Sequence, residues 1–330
     1  MSGSVVVIIS LVAALAVVPL GTEAQQARKT ARIGFLSPSS LSDVRTRTFV
    51  EAFHQGLRDL GWIEGQNLTI EYRWADERTE RLRDLATDLA RLQVDVVVAA
   101  TSPAVQAAKQ AIPTIPIVMT NAGDAVASGF VASIARPEAN VTGLSMMGGE
   151  LVGKQLQILK EVVPRLSRVA LLWNPTNSSN APQLRHAQEA VRTLGLRLQA
   201  LEVRRPAELD DAFAAITKEH AGAVIVVLDS MLIANRTRIA DLAARRHLPT
   251  MYGLSDHVRA GGLMAYGPDV ADMYRRAATY VDKILKGSKL TELPVEQPTK
   301  FELIVNLSAA RALGLTIPPS ISARADQLIQ

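Results

Sequence analysis

Hydrophobic and polar positions follow two rhythms along this chain. Short aliphatic runs at 32–36, 68–72, 95–100, 115–119 and 141–146 predict strands, and the stretches between them, with apolar residues three and four apart, predict helices. Over 44–60, Phe49, Phe53, Leu57 and Leu60 share one helical face, and Gly61 ends the segment. Leu82, Leu85, Ala86, Leu89 and Leu92 form a second stripe, a third helix starts at Pro103, and a short one is expected near 126–135. The run Val96-Val97-Val98 has the continuous apolar character of a strand covered on both faces, as in parallel sheets.

The alternation then restarts. Strands are expected at 168–173, 197–203, 223–228, 249–252, 261–267 and 301–306, and helices at 150–163, 181–194, 207–219, 232–247 and 308–313. A further helix opens at Pro268 with the stripe Val270, Met273, Ala277, Val281, Ile284. Strand and helix alternating twice over predicts the α/β class, with two Rossmann-like lobes of parallel sheet hinged around a central cleft. The expected lobes are 31–146 plus about 267–297, and 147–266 plus about 298–330, the tail being the least constrained part. Glycines near 148–149 and 261–267 flank the crossings and suit a hinge.

The first residues follow neither rhythm. Positions 5–20 are almost unbroken aliphatic, about 16 residues where a membrane span needs roughly 20. Thr22 and Ala24 fit a small-x-small cleavage site, so 1–24 reads as an export leader, although 1–4 carry no Lys or Arg. The remainder is expected to be a soluble periplasmic protein. With no Cys in the sequence, disulfides, thiolate metal sites and a lipid-modified cysteine are excluded, so no lipid anchor is expected. Charges nearly cancel, 36 Lys and Arg against 32 Asp and Glu, and basic runs never exceed two residues; nucleic acid is not an expected partner.

In open parallel sheets ligands bind beyond the carboxyl ends of the strands. Those ends are polar here: Ser37; Thr101 and Ser102; Asn121 and Asp124; Asn174; Asp229 and Ser230; and Asp256. Thr101-Ser102-Pro103 makes a helix N-terminus that could hold an anion or simply be capped. Asp229 and Asp256 could each accept from a ligand ammonium or cap a helix, and Gly123-Asp124 has turn chemistry. Searches for catalysis return nothing. The five His are scattered without metal-ligand spacing, no Walker or Gly-x-Gly-x-x-Gly loop occurs, and Gly143-Leu144-Ser145-Met146-Met147 lacks the closing Gly of a nucleophile elbow. No cofactor and no metal are implied, and binding is the expected role, not catalysis.

A set of short motifs in a specific order then resembles a known family. They include Ile33-Gly34-Phe35-Leu36, Leu60-Gly61-Trp62, Ile115-Pro116-Ile117-Val118, Asn140-Val141-Thr142-Gly143-Leu144, Ala260-Gly261-Gly262-Leu263 and Leu313-Gly314-Leu315-Thr316-Ile317-Pro318. The chain resembles the ABC transporter solute-binding proteins of the type that includes tryptophan and tyrosine binders, with the type I periplasmic-binding fold. That resemblance implies a small organic ligand, amino-acid-like or an aromatic carboxylate, held between two closing lobes and passed to an ABC permease of the inner membrane with its ATPase. It implies the ligand-facing residues Ser37, Thr101, Ser102, Asn121, Asp124, Asn174, Asp229, Ser230 and Asp256. A ligand carboxylate would then sit at Thr101 and Ser102, and an ammonium near Asp229 or Asp256. The chain departs from the family where it reads Asp124-Ala125-Val126-Ala127 instead of Asp-Pro-Val-Gly, and Leu228-Asp229-Ser230 where amino-acid binders tend to have Thr-Asp-Asn. Of the aromatics, only Trp173, Tyr252 and Tyr266 are placed near the expected cleft. The alternative function is a periplasmic sensing module for a histidine kinase or chemoreceptor.

Overall fold

The computed structural model describes residues 30–330 except Glu138; the expected leader, 1–24, lies outside the described residues. The first half runs β1 (Ala31–Ser37), α1 (Val44–Asp59), β2 (Leu68–Trp74), α2 (Leu82–Arg91), β3 (Val96–Ala99), α3 (Thr101–Ala111), β4 (Ile117–Ala122) and β5 (Val141–Ser145). These strands make one parallel sheet in the order β2-β1-β3-β4-β5. Successive residues of a strand point to opposite faces, so the sheet has two cores. Ile33, Phe35, Val96 and Val98 pack with α1, while Leu36, Val97, Ala99 and Met119 pack with α2 and α3.

The second half runs α4 (Gly148–Val162), β6 (Arg168–Trp173), α5 (Asn180–Leu194), β7 (Arg197–Glu202), α6 (Leu209–Lys218), β8 (Ala223–Val226), α7 (Ser230–Ala234), α8 (Arg236–Arg245), β9 (Thr250–Tyr252), α9 (Ser255–Arg259) and β10 (Met264–Pro268). After it come α10 (Val270–Leu285), β11 (Phe301–Asn306), α11 (Leu307–Ala312), α12 (Pro319–Arg324) and β12 (Gln327–Ile329). The second sheet has the order β12-β11-β10-β9-β8-β6-β7, parallel except where β11 runs against β10. The chain therefore builds an α/β molecule of two parallel-sheet lobes. Helix α10 returns to the first lobe: its Met273, Tyr274, Ala277 and Val281 join the core beneath α1. The two helices approach closely at Gly56, where a Cβ would come 2.5 Å from the Arg275 carbonyl oxygen.

Two expected helices take other forms. Over 126–135 the chain turns instead, because the Asp124 carboxylate accepts from the N–H groups of Val126 (3.1 Å) and Ala127 (2.9 Å) and closes the loop on itself. The helix expected over 232–247 is divided into α7 and α8 at Asn235, whose side-chain amide donates to the Met231 carbonyl at 2.8 Å.

Candidate functional site

Strand order locates the site. In the first sheet the chain moves from β1 to β2 in one direction and from β2 onward in the other, so the reversal lies between β1 and β3. In the second sheet the corresponding reversal lies between β6 and β8. Crossover helices leave to opposite faces at such a point and open a crevice at the strands' carboxyl ends. In the first lobe that crevice holds Ser37 and Thr101, and in the second Asn174 and Asp229. The two crevices meet: a cavity of about 40 Å³ is walled by Ser39, Thr101 and Asn121 of the first lobe and by Asn177, Asp229 and Ser230 of the second. Its volume suits a water or two, not an organic solute. A wider chamber of about 580 Å³ adjoins it and shares Asn177, Asp229 and Ser230 as wall.

Direct contacts hold the lobes together around this cavity. Ser179 Oγ donates to Ser102 Oγ at 2.6 Å and lies 2.9 Å from Ser128 Oγ, and Ser230 Oγ donates to Thr101 Oγ1 at 3.3 Å. Arg236, at the start of α8, pairs with Asp43, the N-cap of α1, at 3.2 Å. Ile233 and Leu254 of the second lobe are buried in the first lobe's core. Gly123 leaves room for this closure, since a Cβ there would lie 2.5 Å from Ser179 Cβ.

Asp229 is the most unusual group on the wall. It is 4% exposed, and its carboxylate accepts from Asn177 Nδ2 (2.9 Å), Asn174 Nδ2 (3.3 Å) and the Leu232 N–H (3.0 Å), the last capping α7. All three donors are neutral. Burial pushes its carboxyl above the ordinary 3.8, and these hydrogen bonds offset only part of that. Thr101 is unusual in its backbone. It has φ +71, a left-handed conformation costly for a β-branched residue, and its N–H donates to Asn121 Oδ1 at 3.0 Å. The first amide of α3 is thereby occupied internally, and Ser102 Oγ accepts from the Gly123 N–H at 2.9 Å.

The remaining sequence-selected residues fall elsewhere. Ser37 is buried and its Oγ accepts from the Ser39 N–H at 3.2 Å, one step behind the cavity wall. Asp124 serves its turn. Asp256, in the first turn of α9, lines a separate cavity of about 180 Å³ with Phe49, Arg259 and Asp269. Burial raises its carboxyl, and the charges of Arg45, Arg236 and Arg259 lower it. Of the three aromatics, Tyr252 is fully buried and stacks on His257 at 4.3 Å, Tyr266 stacks on Phe301, and Trp173 packs against the second lobe's core. None walls the inner cavity.

The sequence reading selects neither Arg45 nor Ser179, and it reaches Asn177 only as the end of the polar run Asn174-Pro175-Thr176-Asn177 after β6, without a site role. Ser179 lies two residues further along the same loop, so extending that reading finds it. Arg45 carries no such signal: it sits in the first turn of an amphipathic helix, where a basic residue reads as surface. Among the described residues no group of three or more His, Asp or Glu is placed to hold a metal ion, and no helix is long and apolar enough to cross a membrane.

Residues 41–329 match the family described as ABC transporter substrate binding protein. A tyrosine-binding protein of Clostridioides difficile (strain R20291) is 22% identical over 265 residues, 80% of this chain and 76% of the relative. Among solved structures, a conserved domain protein from Vibrio cholerae is 25% identical with a TM-score of 0.86, covering 91% of this chain and all of that one. An ABC domain from Streptococcus pneumonia in complex with L-Trp is 22% identical with a TM-score of 0.85, at the same coverage. The fold is that of the type I periplasmic-binding proteins.

Proposed function

The chain belongs to the family of ABC transporter substrate-binding proteins, and from that premise we propose that it captures an amino-acid-like solute between its lobes and delivers it to an ABC permease and its ATPase. The family consists of extracytoplasmic substrate-binding receptors and is not a class of enzymes. The proposed place of work is the periplasm, reached through the leader at 1–24.

The observation that carries the ligand class is the Asp229 carboxylate, buried on the interlobe wall among neutral donors only. A carboxylate held out of water this way gains most from a cation that arrives with the ligand and is enclosed with it. We assign it the ligand ammonium. The hydroxyls of Thr101, Ser102 and Ser230, with Asn121 and Asn174, complete the proposed contact set, and Asp124 and Asp256 stand outside it. The lobes part to admit the ligand, breaking the serine contacts, and close on it again, pivoting where the chain passes between sheets at 146–148, 268–270 and 297–300. The tyrosine and tryptophan binders among the relatives support an amino-acid-like ligand.

A thermal-shift screen of refolded, ligand-stripped protein against L-amino acids, aromatic acids, small carboxylates and sugars tests this reading. A ligand at about 1 mM with Kd near 1 µM stabilises the protein by about 4 kcal/mol, several degrees in Tm. A shift with sugars alone, or with nothing in the panel, refutes the amino-acid assignment.

A further inference from the structure

Arg45 projects from the first turn of α1 into the wall of the inner cavity. Its side chain is 13% exposed, and its Nε is buried without a hydrogen-bond partner. The Arg45 backbone N–H donates to Asp43 Oδ1 at 2.9 Å, but the guanidinium lies no closer than 3.9 Å to that carboxylate, which is engaged by Arg236. Phe49 supports it from below, with the guanidinium carbon 5.6 Å from the ring centroid, and Phe49 is itself stacked on Tyr274 at 5.3 Å. The positive field reaches Glu77 and Asp256, yet neither carboxylate hydrogen-bonds to it. A planar fork of donors is thus held at the cavity with its Nε buried and unsatisfied, and its one ionic contact, to Asp43, is long at 3.9 Å.

Resting on the reading that the cleft binds an amino-acid-like solute, we infer that Arg45 is the residue that selects for a carboxylate on the ligand. The cavity then carries complementary charges on opposite lobes, Arg45 on the first and Asp229 on the second. A zwitterion satisfies both and ties one lobe to the other. Neither a decarboxylated amine nor an α-amide does so, because each leaves the guanidinium without an anion. The α3 N-terminus is the weaker candidate for this role, since its first N–H is already donated to Asn121.

The experiment is titration calorimetry on the wild-type protein, Arg45→Met and Arg45→Lys. The probes are the twenty L-amino acids, followed by the α-amide and the decarboxylated amine of the tightest binder. The expected result is wild-type preference for the acid over its amide by about 30-fold, abolished in Arg45→Met and partly kept in Arg45→Lys. On the wild-type protein, the Arg45 Nε–Hε resonance, followed by 15N NMR, shifts on saturation with the acid and not with the amide, so the inference stays testable if a variant misfolds. Acid and amide binding the wild type equally, or Arg45→Met retaining the preference, overturns the inference while leaving the amino-acid reading intact. A wild-type protein that binds no amino acid overturns the reading and the inference together.

Discussion

Asp229 and Asp256 each follow a strand of the second sheet, each is withdrawn from water, and each has its carboxyl raised by burial. Their surroundings are opposite. Asp256 lies in the field of Arg45, Arg236 and Arg259, whose charges offset part of its burial without any direct contact. Asp229 has two asparagine amides and a helix N–H, and no cation contributes to its balance. The difference lies in strand order: Asp229 sits at the reversal between β6 and β8, while Asp256 follows β9, one strand further out. A carboxylate with no cation in its surroundings is thus found at the crevice, and one set in a field of arginines beside it.

The largest expected effect sharpens the Asp256 side. His257, its neighbour, is fully buried, and burial together with the charges of Arg45 and Arg236 drives its imidazole down to about 3 from the ordinary 6.5. Between those values the unfolded chain binds a proton that the folded one does not, so stability falls as pH drops through that window. Going from pH 6.5 to roughly 4 should cost about 3 kcal/mol from this group. Urea unfolding of His257→Phe, which keeps the stack on Tyr252, should show that part of the acid slope gone.

Next comes the direct contrast. Asp229→Asn is expected to weaken the tightest amino-acid ligand about 100-fold, whereas Asp256→Asn changes it less than about threefold. Equal losses in calorimetry would erase the distinction. In the ligand-free protein the sign reverses. A carboxyl raised above 3.8 makes the folded state the better proton binder, so Asp229 favours folding below 3.8 and that contribution is lost as pH rises through its native value. Asp229→Asn should flatten that fall, and ligand affinity in the wild type should grow over the same interval as Asp229 ionises.

A smaller effect concerns closure. Gly123→Ala places a methyl against Ser179 and should hold the lobes apart, lowering affinity about tenfold and raising the ligand-bound radius of gyration in X-ray scattering. Ser179→Ala should be the mildest. It removes two hydroxyl contacts between the lobes that are remade by ligand or water, and affinity should move less than about threefold.

Much of the molecule was legible along the chain. The stripe of Phe49, Phe53 and Leu57 did become a buried helix face, and the valines at 96–98 did become a strand with both faces covered. Such patterns are local, because burial of a helix face or strand repeats with a fixed period whatever lies opposite. The effects of Asn235 and Asp124 on the segments that follow them escaped for an equally local reason, although Gly123-Asp124 did read as a turn. Their side chains compete for nearby backbone groups, which breaks one helix and replaces another with a turn.

What the sequence determined by itself was the α/β class, the two-part alternation, and a polar rim at the strand ends. What only the tertiary structure decided was which rim residues meet. Strand order sets Asp229 apart from Asp256, and the packing of Phe49 on Tyr274 beneath Arg45 holds a guanidinium with an unsatisfied Nε at the cavity. The reason is physical: periodicity records whether a side chain is buried, but the energy of a buried charge depends on partners brought close by distant parts of the chain.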